Sequence, residues 1–181
     1  ASRRERQTRS GLTQPPRLTP RLLAQIAARP AWALATARSG MPHMATLDKY
    51  ISKERAHLPP TAHLGYLLRA SPDWDYLQWL RDSWSGKLVV KGVLDVADAV
   101  ALKAAGVDAI QVSSHGGRQL DAAPYPILAL REIRSVVGED FPLFFDSGIR
   151  SGEDVLKAYA MGADFVFLGR SMLYSLAARG Q

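Results

Sequence analysis

No cysteine occurs anywhere in the 181 residues. Disulfides, thiolate metal sites and cysteine nucleophiles are thereby excluded, and the absence fits a reducing compartment. Long apolar runs are missing too, since no stretch approaches the roughly 20 residues of a membrane-spanning helix. The first residues carry arginines with no apolar core after them, which is not the pattern of a signal peptide. An initial methionine is absent as well: the chain opens at Ala1 and runs straight into charged residues, as a fragment or a processed product would. The net charge of +6 lacks the basic helix interleaved with aromatics that a nucleic-acid surface would show, so no nucleic-acid partner is expected. The excess crowds one end, in Arg3, Arg4, Arg6, Arg9, Arg17 and Arg21, and suits an anionic lipid or a bound phosphate.

Hydrophobic residues make up 47% of the chain, enough for one domain with a real core. Two regions differ in character. Residues 1–85 are irregular and carry Pro15, Pro16, Pro20, Pro30, Pro42, Pro59, Pro60 and Pro72. One helix is well signalled there: Thr19 suits the N-cap, Pro20 the first helical position, and Leu22, Leu23, Ile26 and Ala27 share a face until Pro30 ends it. Residues 39–72 read as a long loop, and loops of that length are functional or disordered. The apolar cluster Leu64, Tyr66, Leu67 and Leu68 beside Arg69 suits contact with a membrane surface; a mobile lid is the other reading. Pro72 to Leu80 reads as a short helix with Trp74, Leu77 and Leu80 facing inward.

Residues 86–181 alternate strand and helix. Strands are expected at about 87–91, 108–112, 142–146 and 164–168. Helices are expected from Asp95 to Ala105, Tyr125 to Val137 and Gly152 to Met161, with glycine stops at Gly106 and Gly162 and a capping box at Ser151 and Asp154. The run Ala104 to Ser113 echoes Ala160 to Gly169 in pattern, at a spacing of 56 residues. Continuous apolar strands separated by helices imply a parallel sheet, which both a (β/α)8 barrel and a doubly wound sheet satisfy.

The polar candidates all follow a strand's carboxyl end, where parallel α/β folds bind ligands. They are Lys91; Ser113, Ser114 and His115; Asp146, Gly148 and Arg150; and Gly169 and Arg170. Gly148 and Gly169 permit close backbone approach, the following helices offer free N–H groups, and Arg150 and Arg170 add charge. Together these suggest a phosphate cradle; the plainer reading is tight turns with solvated arginines. His115, between a strand end and two glycines, is exposed to a ligand, where an imidazole can serve as a general acid or base. Arg118 can fork onto a carboxylate. His43, His57 and His63 lie in the irregular region and read as loop histidines without a role. No metal site is expected.

The segment Ser113-Ser114-His115-Gly116-Gly117-Arg118-Gln119-Leu120-Asp121 resembles the signature of the FMN-dependent 2-hydroxy acid dehydrogenases, the family of glycolate oxidase, L-lactate dehydrogenase and mandelate dehydrogenase. Ser114 stands where that family usually has asparagine. Leu88 to Gly92 is similar to its fifth barrel strand, and Asp146 to Gly152 and Leu168 to Arg170 to its seventh and eighth. Arg3-Arg4-Glu5 and Pro15 to Thr19 are similar to the segment after its fourth strand, with Gln7 and Thr8 replacing a usual acidic and apolar pair.

The resemblance implies a TIM (β/α)8 barrel of which this chain covers about the second half, strands 5–8, after an irregular N-terminal segment. The first four strands would precede residue 1, and the helix that follows the eighth would lie beyond Gln181. It implies FMN as cofactor and oxidation of an (S)-2-hydroxy acid such as L-lactate to the 2-oxo acid. His115 would be the base, Arg118 and Arg4 would hold the substrate carboxylate, and Lys91 would stabilise the reduced flavin. Ser113 would also contact the cofactor, and Asp146, Gly148, Arg150, Gly169 and Arg170 would hold its ribityl phosphate. The full-length enzyme would be a cytoplasmic homo-oligomer, with peripheral contact to the inner face of the membrane as a further expectation. A non-catalytic half-barrel that binds phosphate or a partner remains the alternative.

Overall fold

The computed structural model describes residues 18–40, 45–51, 72–120 and 122–180. Arg4, Gln7, Thr8 and the apolar cluster from Leu64 to Leu68 lie outside the described residues. The chain divides into two compact units, Ala1–Pro72 and Asp73–Gln181. The division falls earlier than residue 85 because the helix after Pro72 belongs with the second unit.

In the first unit, helix α1 (Pro20–Ala27) begins as its sequence dictates: Thr19 Oγ1 accepts the Leu22 N–H at 3.2 Å and Leu22 is buried. Leu23, expected on the same face, is exposed. Pro30 does more than end this helix. It is also the first residue of a second helix, α2 (Pro30–Ser39), which the sequence reading missed. Proline lacks the N–H that the first turn leaves unpaired anyway, so one residue can close one helix and open the next. The expected loop 39–72 contains a 3-10 helix, Ala45–Tyr50.

The second unit opens with α3 (Trp74–Ser83), capped by Asp73, whose carboxylate accepts the Tyr76 N–H at 2.9 Å. Leu77 packs on the core and Leu80 is half-buried, but Trp74, expected inward, is 51% exposed. There follow β1 (Val89–Val93), α4 (Val96–Ala104), β2 (Ala109–Val112), α5 (Pro126–Val137), β3 (Leu143–Phe145), α6 (Gly152–Ala160), β4 (Phe165–Val166) and α7 (Arg170–Arg179). The four strands are parallel and lie in chain order, β1-β2-β3-β4. A doubly wound sheet reverses its strand order at a switch point. None of the described strands does so, which is the behaviour of part of a barrel. Helix α7 follows β4.

Alternation along the strands sends Ile110, Val112, Leu143 and Phe145 into a fully buried core with Leu130, Ile133 and Val137 of α5. The opposite face carries Phe144, Phe165 and Phe167, packed edge to face.

The internal echo becomes a repeated tie at the amino ends of the strands. Asp108 Oδ2 accepts the Leu88 N–H and the Arg81 guanidinium, both at 2.9 Å. Asp164 Oδ2, 56 residues later, accepts the Leu143 N–H at 2.7 Å and the Arg134 guanidinium at 2.6 Å. Each arginine also donates to the carbonyl of the glycine two residues before its aspartate, Gly106 or Gly162. Gly162 has a φ of 101°, and a Cβ there would come within 2.7 Å of Arg134 Cγ, so glycine is what lets the arginine lie across the turn. Lys87 adds a third contact to Asp108, at 2.8 Å. The Lys87 hydrogen bond, the Leu88 N–H and Arg81, together with the Lys87 charge, outweigh desolvation and bring the Asp108 carboxyl down to about 2. This tie engages Lys87 and Leu88, which explains why β1 begins at Val89 and not at Lys87.

Candidate active site

Of the expected polar groups, Ser113, His115 and Asp146 meet beyond the carboxyl ends of β2 and β3, joined by Lys91, which lies within β1 and not after it. Asp146, just past β3, is the hub. Its Oδ1 accepts hydrogen bonds from Ser113 Oγ at 2.5 Å and Ser147 Oγ at 2.7 Å. Its Oδ2 accepts from Gln111 Nε2 at 2.6 Å and faces Lys91 Nζ at 3.1 Å. Burial pushes the Asp146 carboxyl up, but the hydroxyls of Ser113 and Ser147 and the hydrogen bond and charge of Lys91 overcome this and hold it below the ordinary carboxylate range. Lys91 donates also to Ser113 Oγ at 2.9 Å. Among the described residues that uses two of its three donors and leaves one for a ligand.

His115 sits at φ 54°, followed by Gly116 at 68° and Gly117 at 71°. Its N–H donates to Ser113 Oγ at 3.0 Å, while the side chain is exposed. The imidazole lies over Gly92, where a Cβ would come within 2.7 Å of Nε2. The residue beside Lys91 must therefore be glycine for the ring to rest there. Ser147 Oγ accepts the N–H groups of Ser114 and Gly116, both at 3.1 Å. Arg170, from the start of α7, donates to the Gly116 carbonyl at 2.8 Å. The His115 loop is thus tied to residues that follow β3 and β4.

The two expected phosphate positions differ. At α6 the capping box is complete, and the Asp154 carboxylate accepts the N–H groups of Arg150 at 3.0 Å and Ser151 at 3.1 Å. These bonds lower the Asp154 pKa, the Arg150 N–H foremost, so a carboxylate already occupies that helix start. At α7 no side chain among the described residues caps the helix, and its first turn has no acidic residue. Ser171 Oγ there is buried without a hydrogen-bond partner among the described residues. An orphaned hydroxyl, an uncapped helix start, Gly169 and Arg170 are what a phosphate group requires. Gly148 has a φ of 90° and open space where a Cβ would stand, so a ligand can approach its backbone closely. Arg150 and Arg118 are exposed, and neither joins the network around Asp146.

Gln111, Ser147, Gly92 and Ser171 were not among the sequence candidates. Gln111 had a visible signal: it is the lone polar residue in the strand Ala109–Val112, and it is buried. The others carried none, because small residues near glycine turns look alike in sequence.

The chain spans about half the length of the curated relatives it matches. L-lactate dehydrogenase from Pseudomonas syringae pv. syringae (strain B728a) is 40% identical over 98% of this chain and 47% of its own length. (S)-Mandelate dehydrogenase from Pseudomonas putida is 44% identical over 84% of this chain and 38% of its own. Among solved structures, the monotopic membrane protein (S)-mandelate dehydrogenase aligns with a TM-score of 0.83 and 40% identity, over 97% of this chain and 46% of that one. Mandelate oxidase with (S)-4-hydroxymandelic acid aligns with a TM-score of 0.58 and 44% identity, over 61% and 31%. The family model described as FMN-dependent dehydrogenase matches residues 1–181, and the chain belongs to that family.

Proposed function

We propose that the chain forms strands 5–8 of an FMN-dependent barrel that oxidises an (S)-2-hydroxy acid such as L-lactate to the 2-oxo acid. FMN, when bound, supplies the two-electron acceptor. The uncapped start of α7, Gly169, Arg170 and the orphaned Ser171 hydroxyl suit its phosphate; Gly148 and Arg150 border the same rim. Lys91, Ser113 and Asp146 form the adjoining polar floor, where the free donor of Lys91 offers positive charge to an electron-rich ring. The relatives named for lactate and mandelate support a 2-hydroxy acid as substrate class.

The observation that carries the reading is His115, held exposed on a left-handed loop beside Lys91 and Asp146. A 2-hydroxy acid loses a proton as it is oxidised, and the imidazole is the group at this rim able to take it. Arg118 is three residues on and exposed; with Arg4 it would clamp the substrate carboxylate through its two-pronged guanidinium. The apolar cluster Leu64, Tyr66, Leu67 and Leu68 would give the peripheral contact with the inner face of the membrane. None of the described helices is long and apolar enough to cross a membrane, and one solved relative is titled a monotopic membrane protein. A cytoplasmic, homo-oligomeric parent completes the reading.

The test is anaerobic addition of L-lactate or (S)-mandelate to FMN-loaded protein. Bleaching of the flavin absorbance by one of them is expected. Binding of FMN, or of phosphate alone, with no bleaching by any 2-hydroxy acid would favour a non-catalytic phosphate-binding remnant, for which the orphaned Ser171 hydroxyl speaks equally well.

A further inference from the structure

The backbone that presents His115 is one that side chains avoid: three successive residues, His115 to Gly117, have positive φ. Glycine tolerates this freely and histidine does not, so other groups must hold the loop. Ser147 does so in an unusual way. Its hydroxyl accepts the N–H groups on either side of His115, from Ser114 and Gly116, and donates to Asp146 Oδ1. One donor and two acceptors are all that a hydroxyl has. Ser147 is itself at φ 91°, where glycine would sit without strain. A strained serine therefore stands where the backbone alone would call for glycine, and what it adds is the hydroxyl.

We propose that Ser147 is a positioning residue for His115. It grips the peptides on both sides of the histidine and refers them to the Asp146 carboxylate, so that the imidazole keeps a fixed place relative to Lys91. The proposal rests on the reading of His115 as the proton acceptor.

Two variants separate the hydroxyl from the strain. Ser147→Gly removes both; Ser147→Ala removes the hydroxyl and keeps the strain. Ser147→Gly should unfold at or above the midpoint of Ser147→Ala. In both, amide exchange at Ser114 and Gly116 should accelerate by about threefold to tenfold, the value of a lost hydrogen bond, while the sheet amides keep their rates. In the FMN-loaded protein, both variants should slow flavin reduction by about tenfold, in kcat more than in KM. In a His115→Gln background, Ser147→Gly should add no further slowing. Unchanged exchange at Ser114 and Gly116 would overturn the proposal. So would faster exchange with full reduction rate, because the loop would then be held without consequence for the base. If the unsubstituted protein reduces no flavin, the reading of His115 fails and the positioning role falls with it; exchange then reports separately on whether the hydroxyl holds the loop.

Discussion

The two ends of the sheet are built on opposite plans. At the amino ends of the strands one device occurs twice: Arg81 with Asp108, and Arg134 with Asp164, each tying a helix, a glycine turn and an N–H at or just before the start of a strand. At the carboxyl ends nothing repeats among the described residues. Lys91, Ser113 and Ser147 come once each and converge on the Asp146 carboxylate, with His115 tied in through Ser113. Repetition suits a task every unit shares, which is joining a helix to a strand. Convergence of unlike groups suits a task the whole sheet performs once. In barrels the first end governs stability and the second chemistry.

Substitutions at each end can sharpen or break this contrast. The largest effect belongs to His115→Gln. It should slow flavin reduction by on the order of 10²–10⁴-fold, measured by stopped-flow bleaching, with stability changed by no more than about 0.5 kcal/mol. Arg134→Met should do the reverse. Arg134 is buried and donates to the carbonyls of Gly138, Phe141 and Gly162 as well as to Asp164. Its loss leaves these carbonyls unpaired, and denaturant unfolding should show a cost of about 1–3 kcal/mol, the penalty for unsatisfied buried acceptors, because the Asp164 carboxylate is itself half exposed. Gly92→Ala is smaller and mixed. The added methyl meets His115 Nε2 in a backbone at φ 97°, so reduction should slow by roughly 10²-fold, as for a small misplacement of the base, with a stability loss of about 1 kcal/mol.

The smallest effect concerns pH. Asp108 has a folded-state pKa lowered from 3.8 to about 2, so the folded protein binds its proton less readily than the unfolded chain does. Its stabilising contribution is complete above pH 4 and is lost as pH falls toward 2. Acid unfolding followed by circular dichroism should show this limb, and Asp108→Asn should flatten it. An unchanged acid limb would detach Asp108 from the stability of the strand ends.

Much of this architecture was legible in the sequence. Apolar runs, glycine stops and the Ser151 and Asp154 cap marked the strands and helices of the second unit, because there local preference and packing agree. The echo around Asp108 and Asp164 was visible as a pattern, but not as a tie, since its arginines lie on helices outside the repeated run. Pro30 misled because a helix stop and a helix start look the same from the residue before them. Trp74 misled because helical periodicity cannot say which apolar face meets the core. At the site, His115, Ser113 and Asp146 were legible from their places after strands; Lys91, expected after its strand, lies within β1. Gln111 carried a signal as the lone polar residue of its strand, but Ser147 did not, since its role lies in whom it contacts across the sheet.

The contrast between the two ends is tested most directly by measuring His115→Gln and Arg134→Met side by side, each for its denaturation midpoint and for bleaching of its FMN by a 2-hydroxy acid under conditions where both remain folded. The account predicts a crossed result: His115→Gln keeps its midpoint and loses bleaching, while Arg134→Met loses midpoint and bleaches at close to the parental rate. Parallel losses in both variants, or bleaching by His115→Gln at the parental rate, would contradict it.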